Sequence, residues 1–209
     1  MIFNKSKNFD FQPEFCFNNG QTLDVIEETR LLGIQLRTDL RWDSNTKAIC
    51  TKALSKMWLL RRMKLLGLEP EFILEYYLKE IRALAEQGVP IWNSGLTNSQ
   101  IRDIERIQKV ALKIILAESY ENYHNACLKF NFQTMSERRL KISTNFAVKL
   151  YKSDRSKQFF THVKSKISQR HGNKLVVEKM SRTKRCYNAP HNYLSRLVNM
   201  NAAKIKKTL

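Results

Sequence analysis

Apolar positions change their period along the chain. Phe9, Phe11, Phe15 and Phe17 stand at odd positions with polar residues between or beside them, close to the spacing of a half-buried strand. Met1-Ile2-Phe3, Leu23 to Ile26 and Arg30 to Leu36 add further strand candidates, and Asn18-Asn19-Gly20 is a turn signal because Asn and Gly tolerate positive φ. From Asp43 the spacing becomes helical. Asp43-Ser44-Asn45 offers N-cap side chains, Ile49, Ala53, Met57 and Leu60 follow on one face, and Gly67 suits the position just past the end. Pro70 suits the first turn of a second helix, which runs through Ile73, Tyr77, Ile81 and Leu84 towards Gly88. Residues 88–95 read as a loop. Thr97 to Gln100 and Thr134 to Glu137 both have the form of a capping box. The first opens a helix with Ile101, Ile104, Ile107, Ala111 and Ile114 inward, the second a helix with Leu140, Ala147, Leu150 and Tyr151 inward. A fifth helix is expected over 157–169, and beyond His171 apolar density falls, which predicts a mostly extended tail. The expected core comprises Ile49, Leu54, Met57, Trp58, Leu60, Ile81, Leu84, Trp92, Ile104, Ile107, Ile114 and Phe146.

Charge sharpens this picture. The 209 residues hold 37 Lys and Arg against 19 Asp and Glu, a net of +18. Residues 1–120 carry 17 basic and 15 acidic side chains, whereas 121–209 carry 20 and 4. A near-neutral body with a strongly basic end predicts a polyanionic partner, because cations that pair with phosphates release condensed counterions. At 100° per residue, Arg102, Arg106, Lys109 and Lys113 form one stripe opposite the isoleucines. Arg138, Lys141, Lys149 and Lys152 form a second, with Arg155, Lys157, Lys164, Lys166 and Arg170 nearby. Each stripe is either a solvated face or a phosphate-contacting one, and backbone contact brings no sequence preference. The tail alternates cation and ring through Arg182, Lys184, Arg185, Tyr187, His191, Tyr193 and Arg196. That pattern suits unpaired bases, or is a disordered tail with incidental rings.

Several activities have no residues to carry them. No apolar run reaches the roughly 18 to 20 residues of a membrane span, and the start lacks the pattern of a secretory signal. Cys16, Cys50, Cys127 and Cys186 are separated by 33, 76 and 58 residues, which suits neither a disulfide framework nor a zinc ribbon. Reduced thiols, and hence an intracellular setting in nucleus or cytoplasm, are expected. Cys186 with His191 and His171 lacks a second cysteine for a metal site, and Cys127 near His124 reads as a buried thiol. The six aspartates (Asp10, Asp24, Asp39, Asp43, Asp103 and Asp154) include no adjacent pair, and a two-metal polymerase or nuclease site needs clustered carboxylates. No phosphate-cradling glycine motif occurs. No cofactor, metal or small-molecule substrate is expected.

Six local patterns, in order, resemble the C-terminal part of the reverse transcriptase of non-LTR (LINE-like, jockey-type) retrotransposons. Met1-Ile2-Phe3 looks like the end of the strand after the catalytic hairpin. Leu31-Leu32-Gly33-Ile34 looks like the turn associated with the primer grip, with Leu31 where tyrosine is usual. Leu40-Arg41-Trp42 looks like the opening of the first thumb helix. Pro90-Ile91-Trp92 with Glu105-Arg106-Ile107-Gln108 is similar to the family's P-x-W and E-R-x-Q pattern. Arg138-Arg139 resembles its double arginine, and Arg182 to Asn199 its R-T-x-R … L-x-N closing segment. The resemblance implies an α+β, mostly α fold: short N-terminal antiparallel strands, a thumb-like helical bundle and a basic, partly extended tail. It divides the chain into palm-strand remnant over 1–42, thumb-like helices over 43–118, basic helical extension over 119–170 and basic tail over 171–209.

The family's catalytic aspartates belong to motifs that this sequence does not contain, so the expectation is a non-catalytic remnant that binds RNA or an RNA/DNA duplex by its backbone. The expected contacts are Arg102, Arg106, Lys109, Lys113, Arg138, Arg139, Lys141, Lys149, Lys152, Arg182, Lys184 and Arg185, with Leu31, Leu32 and Gly33 grip-like. The alternatives are a helical module docking on a polymerase palm supplied in trans, or a pseudogene product without selected activity.

Overall fold

A hairpin is the first element of the computed structural model, which describes residue 20, residues 26–163 and residues 174–206. Strand β1 (Glu28–Leu31) pairs antiparallel with β2 (Ile34–Arg37), Glu28 facing Arg37 and Leu31 facing Ile34. The single strand expected over Arg30 to Leu36 is therefore two strands. Leu32 and Gly33 both take positive φ (49° and 86°), as a two-residue turn with the twist of a hairpin demands. The strand candidates over 1–25 and the Asn18-Asn19 turn lie outside the described residues.

The chain forms two compact units, 1–48 and 49–209. In the first, Ile34 and Trp42 are buried. Asp39 accepts from the Arg37 guanidinium (3.2 and 3.3 Å) and from the Arg41 backbone N–H (3.0 Å). Burial pushes the Asp39 carboxyl up, but those donors outweigh it and hold it below the ordinary carboxylate range.

The second unit is helical. Helix α1 (Asp43–Leu65) buries Ala53, Met57 and Leu60. It ends in a Schellman turn, with Gly67 (φ +73°) donating to Lys64 O and Leu68 to Met63 O. Leu54 and Trp58, expected inside, are exposed. Helix α2 (Pro70–Tyr76) starts with proline in its first turn, as predicted, but passes into a π-helical stretch (Tyr77–Arg82) before α3 (Ala83–Glu86). The buried residues Ile73, Tyr77, Ile81 and Ala85 explain this. A strict spacing of four drifts about 40° per step on a regular α-helix, and a wider turn keeps the row on one line.

Residues 88–95 are not the expected loop. Gly88 (φ +65°) turns the chain into α4 (Val89–Trp92), which buries Val89 and Trp92 completely. Helix α5 (Asn98–Leu116) begins at the predicted capping box, Gln100 N–H donating to Thr97 Oγ1 (3.3 Å) and Thr97 N–H to Gln100 Oε1 (2.7 Å). Ile104, Ile107 and Ala111 are buried as expected. Ile101 and Ile114 are half-buried, and Leu112 and Ile115 take the inner positions instead.

Helix α6 (Tyr123–Lys129) closes a small cluster of Leu112, Leu116, Ala126 and Cys127. Helix α7 (Met135–Lys152) starts at the second predicted capping box, Thr134 with Glu137. It buries Met135 and Ala147 but leaves Leu140 and Phe146 exposed, against expectation. Of the helix expected over 157–169, only α8 (Ser156–Phe159) is found; 164–169 lie outside the described residues.

The largest difference concerns the tail, which over 184–206 is mostly helical, with one side buried, rather than mostly extended. Helices α9 (Lys184–Tyr187), α10 (Pro190–Met200) and α11 (Ala202–Lys206) fold back, α10 against α7. Leu194, Leu197, Val198 and Ile205 join Ala147, Phe160 and Val176 in one core cluster. Asn199 clamps the returning segment. Its Oδ1 accepts from Leu175 N (2.9 Å) and Val176 N (3.1 Å), while its Nδ2 donates to Val176 O and Glu178. The chain is thus α+β and mostly α, with two antiparallel strands near its start.

Candidate nucleic-acid interface

The two sides of α5 serve different ends. Inward, Glu105 and Gln108 sit one turn apart in a buried polar network. The Glu105 carboxylate accepts from Met135 N (2.9 Å) and Ser136 N (3.1 Å), so it caps α7 from another helix, and it also accepts from the Tyr123 hydroxyl. Gln108 Oε1 accepts from the Tyr77 hydroxyl (3.0 Å), and its Nε2 donates to the Tyr123 oxygen (2.9 Å) and Gln133 O (3.0 Å). Burial pushes both phenols well above their ordinary range, as does the Glu105 contact for Tyr123, so they remain donors near neutrality.

Arg138 and Arg139, expected to contact phosphates, are engaged inside the protein. Arg138 lies along Glu86, Nε to Oε1 at 2.7 Å and Nη2 to Oε2 at 3.2 Å, and that pairing holds its guanidinium above its usual value. Arg139 is 1% exposed. Its Nε donates to Asn93 Oδ1 (3.0 Å) and its Nη2 to Ser136 Oγ (3.1 Å). Burial lowers its pKa, against the opposing charge of Glu105. A guanidinium so enclosed has no access to a phosphate, so the phosphate-contact expectation is corrected for Arg139; Arg138 is half-buried and committed to Glu86.

The motif residues elsewhere are equally structural. Trp92 donates from Nε1 to Gln87 O (2.8 Å), and Thr183 caps α9 by accepting from Cys186 N (3.2 Å). Cys127, buried beside Gln108, has its thiol pushed up by burial, which argues against a nucleophile. Among the described residues no group of three or more His, Cys, Asp or Glu converges on a point that could hold a metal ion.

The outer side of α5 presents Arg102, Arg106, Lys109 and Lys113, all exposed and within about 60° of one another around the axis. None of the four has a carboxylate within ion-pair distance among the described residues. Lys109 Nζ lies over the Tyr123 ring (5.7 Å to the centroid), a cation–π contact at the surface. On α7, Lys141, Lys149 and Lys152 are exposed.

In the tail, Arg182 and Lys184 are exposed, and the Arg185 side chain lies outside the described residues, as do Lys164, Lys166 and Arg170. The tail rings are already occupied. Arg196 stacks on Tyr187 at 3.6 Å and donates to Tyr187 O (2.7 Å). The Tyr193 hydroxyl accepts from Asn93 Nδ2 (3.2 Å), and His191 stacks on Phe160. In the first unit, Leu31 and Leu32 of the grip-like trio are exposed at the hairpin tip, beside Gly33.

Sequence reasoning missed one exposed group, Trp58 with Arg61 and Arg62 on α1, because a tryptophan at helical spacing was assigned to the core. The available signal was Arg61 sharing the face of Trp58. No helix among the described residues is long and apolar enough to cross a membrane. Comparison with known proteins finds no matching family model, no similar curated protein and no similar solved structure.

Proposed function

We propose that this chain binds nucleic acid through backbone phosphates, as a thumb-like region of a non-LTR reverse-transcriptase type, and holds its ligand without carrying out chemistry. The observation that supports it is the α5 stripe of Arg102, Arg106, Lys109 and Lys113, exposed and without carboxylate partners among the described residues, in a chain of net charge +18. Lys141, Lys149 and Lys152 on α7 extend the cationic surface. Four cations in one row match a row of phosphates in sign, and contacts of this kind carry no base preference.

The test is the salt dependence of binding. Replacing Arg102, Lys109 and Lys113 together by Ala is expected to flatten the slope of log affinity against log salt by roughly 2 to 3, since each phosphate contact contributes about 0.7 to 0.9. The midpoint of unfolding should barely move. An unchanged slope removes the stripe from the interface.

A second reading, docking on a polymerase palm supplied by another chain, draws on the exposed Leu31 and Leu32 at the hairpin tip. Only this reading predicts polymerase activity on mixing with a separate palm.

A further inference from the structure

Helix α1 carries a face that the phosphate-binding reading leaves unused. Leu54, Trp58, Arg61 and Leu65 recur at i, i+4, i+7 and i+11, which puts them within about 60° around the axis. All four are exposed; Trp58 is 64% exposed at the centre of the row, with Arg62 and Leu66 beside it. Trp42 and Trp92 are buried, so Trp58 is the single tryptophan that meets solvent.

Charge selects the occupant. Residues 49–65 include Lys52, Lys56, Arg61, Arg62 and Lys64 and no acidic side chain, and among the described residues only Lys56 of these cations is in an ion pair, with Glu80. A second copy of this chain would set Arg61 and Arg62 against their own like charges. A lipid surface would have to take in the Arg61 guanidinium, which stands within the apolar row between Trp58 and Leu65 rather than on an opposite face. A single nucleic-acid strand matches the order of groups. It offers a flat base to an indole and a phosphate beside it to a guanidinium about 4.5 Å further along the helix.

We propose that the Trp58 face of α1 is a stacking platform for an unpaired base of single-stranded nucleic acid, with Arg61 and Arg62 on the adjoining phosphates. This rests on the phosphate-binding reading and adds to it a preference for unpaired over paired strands, because a base inside a duplex has no free face to offer.

The experiment titrates the full chain with a single-stranded oligothymidylate and with a blunt DNA duplex of equal length. Tryptophan fluorescence and the anisotropy of a labelled oligonucleotide are read together. The expected result is saturable quenching by the single strand. In Trp58→Leu, which keeps the site apolar, the quenching disappears and single-strand affinity falls about tenfold, while duplex affinity stays within about twofold.

Single-strand binding without quenching, or with equal affinity in Trp58→Leu, overturns the platform and leaves the phosphate reading standing. Loss of all binding to both ligands overturns both. Fluorescence that responds to phosphatidylserine vesicles and not to the oligonucleotide overturns the platform in favour of a lipid surface. Because Trp58 is exposed, Trp58→Leu is expected to unfold with the unaltered midpoint, and Trp58→Phe, which keeps a ring, should retain most of the affinity.

Discussion

Glu105 and Arg106 are neighbours in sequence and opposite in role. Glu105 turns inward, caps α7 and holds Tyr123; Arg106 turns outward to solvent in a row of cations with no carboxylate partner among the described residues. The same division runs through the rest of the second unit. Among the residues of recognisable motifs, Glu105, Gln108, Arg138, Arg139 and Asn199 sit in hydrogen bonds that join segments distant in sequence, while Trp92 and Thr183 bond locally. Of the cations exposed to a polyanion, Arg106 and Arg182 are motif letters, and the rest stand outside the motifs or between their letters. A motif therefore need not mark a binding surface: here most of its letters mark the joints of a scaffold.

Breaking a joint and breaking the surface should have separable effects. The largest is expected at Gln108. Gln108→Ala leaves the Tyr77 hydroxyl, the Tyr123 hydroxyl and Gln133 O short of a partner in a buried site, at a cost of about 3 kcal/mol. Denaturant unfolding reads this as a lower midpoint, and the folded fraction should bind nucleic acid with an unchanged salt slope. A slope that falls with the midpoint would merge the two faces of α5 into one function.

Arg138→Ala comes next. It removes a two-pronged ion pair with Glu86 that is partly open to water, and the expected loss is about 1 kcal/mol or less. Since Arg138 is committed to Glu86, the salt slope should again stay put. A slope lower by about one phosphate would return Arg138 to the interface.

The smallest effect concerns His191. Burial, assisted by the nearby positive charge of Lys179, holds its imidazole below the usual histidine value. A lowered folded pKa means that the unfolded chain takes up the proton first. The stabilising contribution is therefore full above about pH 6.5 and is lost as pH falls through the folded value. Thermal unfolding between pH 7.5 and 5 should show this decline, and His191→Gln should shrink it. An identical profile in the variant would assign the decline to other groups.

Local signals were legible wherever a few adjacent residues decide the backbone. The capping boxes at Thr97 and Thr134, Pro70 in a first turn and Gly67 past the end of α1 were all readable, because caps and positive-φ glycines act within four or five residues. Periodicity alone missed the hairpin, because Leu32 is an unfavoured residue for the left-handed region and Arg30 to Leu36 reads as one strand; the resemblance of Leu31 to Ile34 to a turn was the legible signal. The π-helical stretch was missed because four-residue spacing looks like an ordinary helix over a short window. The exposure of Trp58, Leu54 and Phe146 was invisible for another reason: periodicity reports a common face, and says nothing of whether another element covers it.

The sequence by itself determined the helical character of the chain, the starts of its longest helices and the sign and location of its charge, because these follow from residue type and near-neighbour spacing. The tertiary structure alone decided which arginines are scaffold and which are surface. Arg138 and Arg106 have the same chemistry and similar helical contexts, and they differ only in that Glu86, 52 residues away, comes to meet one of them. It also decided the fate of the tail. The segment around Val176 has its backbone satisfied by Asn199, 23 residues on, and by Thr161 and Val163, and no local pattern announces partners at that distance.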